Sequence, residues 1–198
     1  MNKAADPSLA TELARFTPSQ QVDTLFAYME KKGQTYYDEA VTQFEHALQC
    51  ANQARLASAG PVQVTAALLH DLGHFLINEH DEEGAFLEED FLHEEVGAEY
   101  LEPFCIVAVT GPVRLHVPAK RYICTTDDAY YATLSQASKR SFQLQGGFMT
   151  DEEKVEFEKN PFWENAVQLR KWDDRAKRKG AETPGLETYR EVIQRCLK

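Results

Sequence analysis

The sequence has no long apolar run. Stretches such as Cys105-Ile106-Val107-Ala108-Val109 are among its longest, far short of the ~20 residues that a membrane helix needs. It opens with no basic segment followed by an apolar stretch, so no secretory signal is expected. The four cysteines, Cys50, Cys105, Cys124 and Cys196, form no CxxC pair and no small disulfide scaffold. They are expected to be reduced, packed thiols in a cytoplasmic protein. Positive charge is scarce as well: 21 Lys and Arg stand against 32 Asp and Glu, a formal net charge of −11. Such a surface repels nucleic acid and anionic membranes, so neither is an expected partner. It still admits an anionic small molecule, because a local cationic pocket outweighs the mean field at short range. Strand-like alternation, internal repeats and low-complexity linkers are also missing.

What remains reads as helices joined by short loops. At 198 residues and 43% hydrophobic content the chain can bury one sizeable core. Residues 8–31 can form one or two amphipathic helices stopped near Gly33. Residues 1–33 are taken as an N-terminal helical cap and 34–198 as the main domain on which it packs. Over 40–58, Val41, Phe44, Leu48, Ala51 and Leu56 give a broad apolar face. Gly60-Pro61 then opens an almost wholly apolar helix over 62–72, which should be buried, with Gly73 disturbing or ending it. The acidic stretch 75–90 reads as loop. Further helices are expected over 91–101, from Pro103 to Gly111-Pro112, over 119–126 behind Pro118, and over 128–139. Thr150 and Glu153 have capping-box spacing. Asn160-Pro161 can open a helix running to about Lys179 before Gly180, and the last helix falls near 186–196. The fold class expected is all-α, a helical bundle.

The chemically informative feature is His70-Asp71 at the end of the buried apolar helix. Burying the Asp charge requires a cation or a strong partner, and a carboxylate with two oxygens can bridge two cations. His46 lies 24 residues before His70, and His93 and His116 lie 23 and 46 after it. Each falls in or beside a different helical segment, so a bundle can bring them together. Asp173 lies on the long C-terminal helix. Asp174 competes with it, but Arg170, Asp173 and Lys177 share one face at offsets of three and four, which favours Asp173. Four imidazoles and two carboxylates (His46, His70, Asp71, His93, His116 and Asp173) suit iron, manganese or zinc, and they suffice for two ions if Asp71 bridges.

These residues resemble the HD-domain superfamily, most of whose members resemble metal-dependent phosphohydrolases. The resemblance rests on His46, the His70–His74 run, His93, His116 and Asp173 within residues 169–177. The six-ligand pattern is similar to that of the mixed-valent di-iron oxygenases. Segments 36–46, 67–74, 116–122, 135–142 and 169–177 resemble most their phosphonate-cleaving branch. The resemblance spans about residues 34–179 and implies an HD-type bundle around a dinuclear site. It implies one iron on His46, His70, Asp71 and Asp173, and a second on Asp71, His93 and His116, as an Fe(II)/Fe(III) pair. It further implies that Tyr36 occupies the second iron when substrate is absent. His74, Lys120, Ser138 and Arg170 would surround the phosphonate, and Glu39 would recognise a substrate amino group.

Lys120 lies four residues after His116, and Arg170 three before Asp173. Cations beside two metal ions are unfavourable unless an anion sits between them, and a phosphonate dianion is such an anion. His74, at i+4 from His70, can face the same region. Tyr36, Tyr37, Asp38 and Glu39 offer aromatic faces and carboxylates suited to an organic cation. The reaction expected is O2-dependent cleavage of the C–P bond of (1R)-1-hydroxy-2-(trimethylammonio)ethylphosphonate to glycine betaine and phosphate. Alternatives are the 2-amino analogue, giving glycine, and a metal-dependent phosphohydrolase. An inositol-type ring-cleaving oxygenase and a non-enzymatic helical interaction domain stand further off.

Overall fold

A computed structural model describes residues 6–36, 41–77 and 90–198. Among the described residues every named element is helical: α1 (Pro7–Leu13), α2 (Pro18–Lys32), α3 (Gln43–Leu56), α4 (Pro61–Leu69), α5 (Leu72–Leu76), α6 (His93–Leu101), α7 (Val107–Thr126), α8 (Asp128–Thr133), α9 (Gln136–Leu144), α10 (Asp151–Lys159) and α11 (Trp163–Arg175). A 3-10 turn at Leu186–Tyr189 leads into α12 (Arg190–Gln194). The all-α expectation is met. No helix of the described residues is long and apolar enough to cross a membrane.

The centre of the bundle is α4, whose Val64, Thr65, Ala66, Ala67, Leu68 and Leu69 are all buried. Each fully buried Leu contributes about 1.5–3 kcal/mol. Around α4 pack α3, α7, α11 and α12. One continuous core joins Leu68, Leu69, Leu169, Trp172 and Ile193 with Leu9, Leu25 and Met29 of the first two helices. The start of α3 is fixed by a reciprocal cap. Thr42 Oγ1 accepts the Glu45 N–H at 3.1 Å, and the Glu45 carboxylate accepts the Thr42 N–H at 2.8 Å. His46 is therefore held one turn inside a firmly anchored helix.

Several boundaries differ from the sequence expectation, each for a physical reason. The chain from 107 to 126 is one helix, α7, running through both Pro112 and Pro118. Each proline removes a helical hydrogen bond, yet Val109, Val113, Val117, Ile123 and Cys124 are all buried along it, and that packing outweighs the loss. Gly111 is no stop signal: a side chain there would place Cβ 2.3 Å from the Phe162 ring, which lies against it. The apolar helix breaks at His70-Asp71, ahead of Gly73, and α5 continues beyond the joint. Gly73 serves a close approach instead, since a Cβ there would stand 1.9 Å from the His93 carbonyl oxygen. Gly97 is the counterpart on α6, where a Cβ would come within 3.0 Å of the Gly73 nitrogen. The segment 128–139 divides at Leu134-Ser135 because Ser135 caps α9 by accepting the Ser138 N–H at 3.1 Å. Of the acidic stretch read as loop, residues 75–76 complete α5, and 78–89 lie outside the described residues. Finally, α11 ends at Arg175 rather than near Lys179.

Gly73→Ala should destabilise the fold by about 3 kcal/mol, a backbone clash with no flexible side chain to yield. For a chain of this size that is roughly a 6–12 °C drop in thermal midpoint. An unchanged midpoint in a thermal melt would show that α5 and α6 do not need that contact.

Candidate metal centre

Four helix ends or joints and the middle of α7 deliver the site. His46 comes from the second turn of α3, His70 and Asp71 from the α4–α5 joint, and His93 from the first residue of α6. His116 lies between the two prolines of α7, and Asp173 in the last turn of α11. All six side chains are buried. The structure therefore brings together every metal ligand that the sequence suggested, across intervals of up to 57 residues between neighbours in the chain (His116 to Asp173).

Asp71 organises them. Its Oδ2 lies 3.3 Å from His46 Nε2 and 3.2 Å from His70 Nε2. Its Oδ1 lies 3.4 Å from His116 Nε2 and 3.6 Å from His93 Nε2. One carboxylate thus addresses two donor groups. In the first, His46 and His70 Nε2 are 3.3 Å apart, with Asp173 Oδ1 3.2 Å from His46 Nε2. In the second, His93 and His116 Nε2 are 3.1 Å apart. His74 stacks on His93 with ring centroids 3.7 Å apart, and its Nε2 is 3.9 Å from Asp71 Oδ1. It stands close enough to be a donor as well, though farther from the shared carboxylate than His116.

A metal fits this arrangement. Asp71 Oδ2 and Asp173 Oδ1 are buried with no aligned hydrogen bond, which is costly for an ionised carboxylate unless a cation is close, whereas Asp173 Oδ2 is already met by Arg170 at 2.7 Å. Two nitrogens bound at right angles to one ion, each at about 2.1 Å, stand about 3 Å apart, close to the spacing of each imidazole pair. Three of the rings are also oriented for it. Nδ1 of His46, His70 and His116 lies 2.9, 3.0 and 2.7 Å from the carbonyl oxygens of Ala176, Ala67 and Val113. Donating the ring proton there leaves the Nε2 lone pair facing inward. The early end of α11 matters for this, because the Ala176 carbonyl that receives His46 lies just past the last helical residue.

Burial raises both carboxyls, but His70 beside Asp71 and Arg170 beside Asp173 outweigh it and hold both well below the usual range. Burial alone lowers His70, yet the Asp71 charge overrides it and holds the ring well above 6.5. Burial pushes His93 well down and His116 down, so both stay neutral.

Next to the ligands lies a buried cationic wall. Burial, with Arg170 and Lys177 nearby, pushes Lys120 down to about 7. Its Nζ donates to Ser141 Oγ at 3.0 Å. Ser138, the serine that the sequence suggested, accepts from the Ser135 hydroxyl at 3.1 Å, and it is Ser141, one turn on, that meets Lys120. Arg170 is held on three sides. Nη1 lies 2.7 Å from Asp173 Oδ2, Nε donates to the Tyr130 hydroxyl at 3.2 Å, and Nη2 donates to Asp174. Tyr130 donates in turn to Asp174. This resolves the choice between the two aspartates: Asp173 faces the imidazoles, and Asp174 holds the guanidinium. Sequence reasoning missed Tyr130 and Ser141, since neither has a periodic or motif signal. Tyr36 is not brought to the centre. It pairs by an isolated bridge with Thr42, and its side chain is 67% exposed. Tyr37, Asp38 and Glu39 lie outside the described residues.

Comparison with known proteins places this geometry. Residues 44–118 match the HD domain family model. The chain is 53% identical over 199 residues to a hydroxymethylphosphonate dioxygenase of Gimesia maris, covering 100% of this chain and 99% of that one. It is 39% identical over 190 residues to the glycine-betaine-forming 1-hydroxy-2-(trimethylamino)ethyl phosphonate dioxygenase of Leisingera caerulea, covering 94% and 95%. A third relative is an uncharacterised protein of Acanthamoeba polyphaga mimivirus, 31% identical over 176 residues.

The protonation pattern has a measurable sign. In the metal-free protein the raised His70 contributes stability that is fully present below 6.5 and is lost as pH rises through its folded value. Urea midpoints of the metal-free chain should therefore fall as pH rises from 6.5 to about 7, above which the lowered Lys120 acts in the opposite sense. Loading metal at pH 7 should release about one proton from the His70 position and none from the His93–His116 pair. A pH-stat titration with no proton release would contradict the assignment.

Proposed function

The chain belongs to the HD-domain phosphonate oxygenases, and from that membership we propose that it cleaves the C–P bond of hydroxymethylphosphonate in an O2-dependent reaction on two iron ions. The oxygenase chemistry is supported by two relatives named as phosphonate dioxygenases, and the observation that carries the two-ion reading is the Asp71 carboxylate divided between two imidazole pairs, with Lys120 and Arg170 buried beside them. The choice of substrate is supported by 53% identity along the full length of a relative named for it. The balance is simple. Hydroxymethylphosphonate dianion and O2 give formate, hydrogen phosphate and a proton, so carbon loses four electrons and no further reductant is consumed.

His46, His70, Asp173 and Asp71 Oδ2 would hold one ion, and Asp71 Oδ1, His93 and His116 the other. A redox-active iron pair, when bound, supplies O2 activation and polarises the substrate oxygens. The chain's own groups do the rest. Arg170, fixed by Asp173, Asp174 and Tyr130, would set a rigid guanidinium charge beside the phosphonate. Lys120 sits near the midpoint of its titration with no anion present. A dianion beside it favours the ammonium, which then holds a proton toward a phosphonate oxygen. His74 lies on the same side through its stack on His93. Burial of the whole set excludes bulk water and strengthens each of these contacts.

A second reading, the trimethylammonio substrate expected from the sequence, keeps support from the tyrosine and carboxylate run at 36–39 and from the 39% identical relative. Under either reading Tyr36 would have to move inward to meet a metal.

With iron-loaded protein and O2, hydroxymethylphosphonate should yield equal amounts of phosphate and formate, and anaerobic samples should yield none. Its kcat/KM should exceed that of the trimethylammonio compound by roughly tenfold or more, about 1.4 kcal/mol of discrimination. The reverse ranking would restore the quaternary-ammonium reading, and anaerobic phosphate release with manganese would favour a hydrolase. Arg170→Lys should raise KM about 10- to 100-fold, the loss of a rigidly placed guanidinium charge. An unchanged KM would remove Arg170 from phosphonate binding.

A further inference from the structure

Three of the four inward-facing imidazoles share one device, a backbone carbonyl behind Nδ1. His93 departs from it. Behind its Nδ1 stands the carboxylate of Glu94, with Oε2 at 3.6 Å. Glu94 is buried, and that oxygen has no hydrogen-bond partner. Burial, with Asp90 and Glu95 beside it, pushes its carboxyl up to about 8, and His74 is the other imidazole nearby. A carboxylate withdrawn from water in this way is unfavourable unless a donor or a cation serves it.

The charges of the two donor groups differ in the same sense. His46 and His70 have two carboxylates available, Asp71 and Asp173. Among the described residues, His93 and His116 have only the Oδ1 side of Asp71, which they share. A carboxylate behind a ligating histidine restores negative charge through the ring and fixes the tautomer.

We infer that Glu94 is the positioning residue of His93: its carboxylate accepts the Nδ1 proton and supplies charge to the position that lacks a second carboxylate. The gap of 3.6 Å exceeds a hydrogen bond. A side-chain rotation would have to close it, and Oε2 would give up no aligned partner in doing so. The inference rests on the two-ion reading of the site and is independent of the substrate.

The test is equilibrium dialysis of metal-free protein against Zn(II). The wild-type chain should take up two ions. Glu94→Gln should keep the first at unchanged affinity and bind the second roughly 10- to 100-fold more weakly. Glu95→Gln, on the same helix turn but paired with Arg114 at the surface, should bind both as the wild type does. A folded Glu94→Gln chain with unchanged second-ion affinity overturns the inference. If that variant does not fold, the wild-type zinc protein decides. Its His93 ring N–H proton should resonate downfield of those of His46, His70 and His116, the mark of a carboxylate acceptor, and a position among or upfield of them overturns the assignment. A wild-type chain that takes up one ion ends both the two-ion reading and this one. Two zinc ions bound, with no phosphonate turnover by the iron-loaded protein under O2, would count against the proposed reaction alone.

Discussion

Everything in this fold is subordinate to one buried charge. Asp71 sits at the joint between α4 and α5, and its two oxygens face in different directions, one toward His46 and His70 and the other toward His93 and His116. A carboxylate at that depth cannot remain ionised unaided, so the surrounding helices must present groups that answer it. The break in the apolar helix follows from this. A continuous helix through 70–71 would carry the two oxygens past their partners, whereas the joint turns them into the gap between α3, α6, α7 and α11.

The wider site is a balance of like charges brought unusually close. Burial, with Arg170 and Lys177 nearby, depresses Lys120, and Asp173 and Asp174 oppose it. The surface as a whole carries the opposite sign. Such a local reversal favours a small, multiply charged anion and discriminates against neutral polyols, which have no use for it. The Tyr130–Asp174–Arg170 network shows how the fold keeps the guanidinium in one orientation: its donors are aimed by α8 and α11 together. Ser141 does the corresponding work for Lys120 from α9. The two short helices α8 and α9 therefore have a polar purpose that their small apolar cluster of Cys124, Leu134 and Phe142 does not reveal.

Which parts could be read beforehand depended on the range of the interaction. The Thr150–Glu153 cap, the stop at Gly33 and the buried character of α4 are local, and each is found where its residues suggest. Pro112 and Pro118 misled because their cost is local while the packing that overrides it comes from α4, α6 and α11. Gly73 and Gly111 misled in the same way. Each is small because another segment's backbone or ring presses on it, a fact invisible in one dimension. Ser138 and Ser141 lie one turn apart on nearly the same face of α9, so only the actual packing shows which of them meets Lys120.

The order of residues alone determined the chemistry available: four imidazoles and two carboxylates on separate helices, a His-Asp pair in an apolar setting, and cations one turn from the ligands. These follow from residue type and helical spacing, which need no partner to be legible. Tertiary structure decided the rest. It made Asp71 common to two groups, turned Asp173 inward and Asp174 toward Arg170, placed carbonyls behind three rings and Glu94 behind the fourth, and left Tyr36 in solvent. Each of those outcomes depends on the angle and distance between helices, and these are set by how whole faces pack.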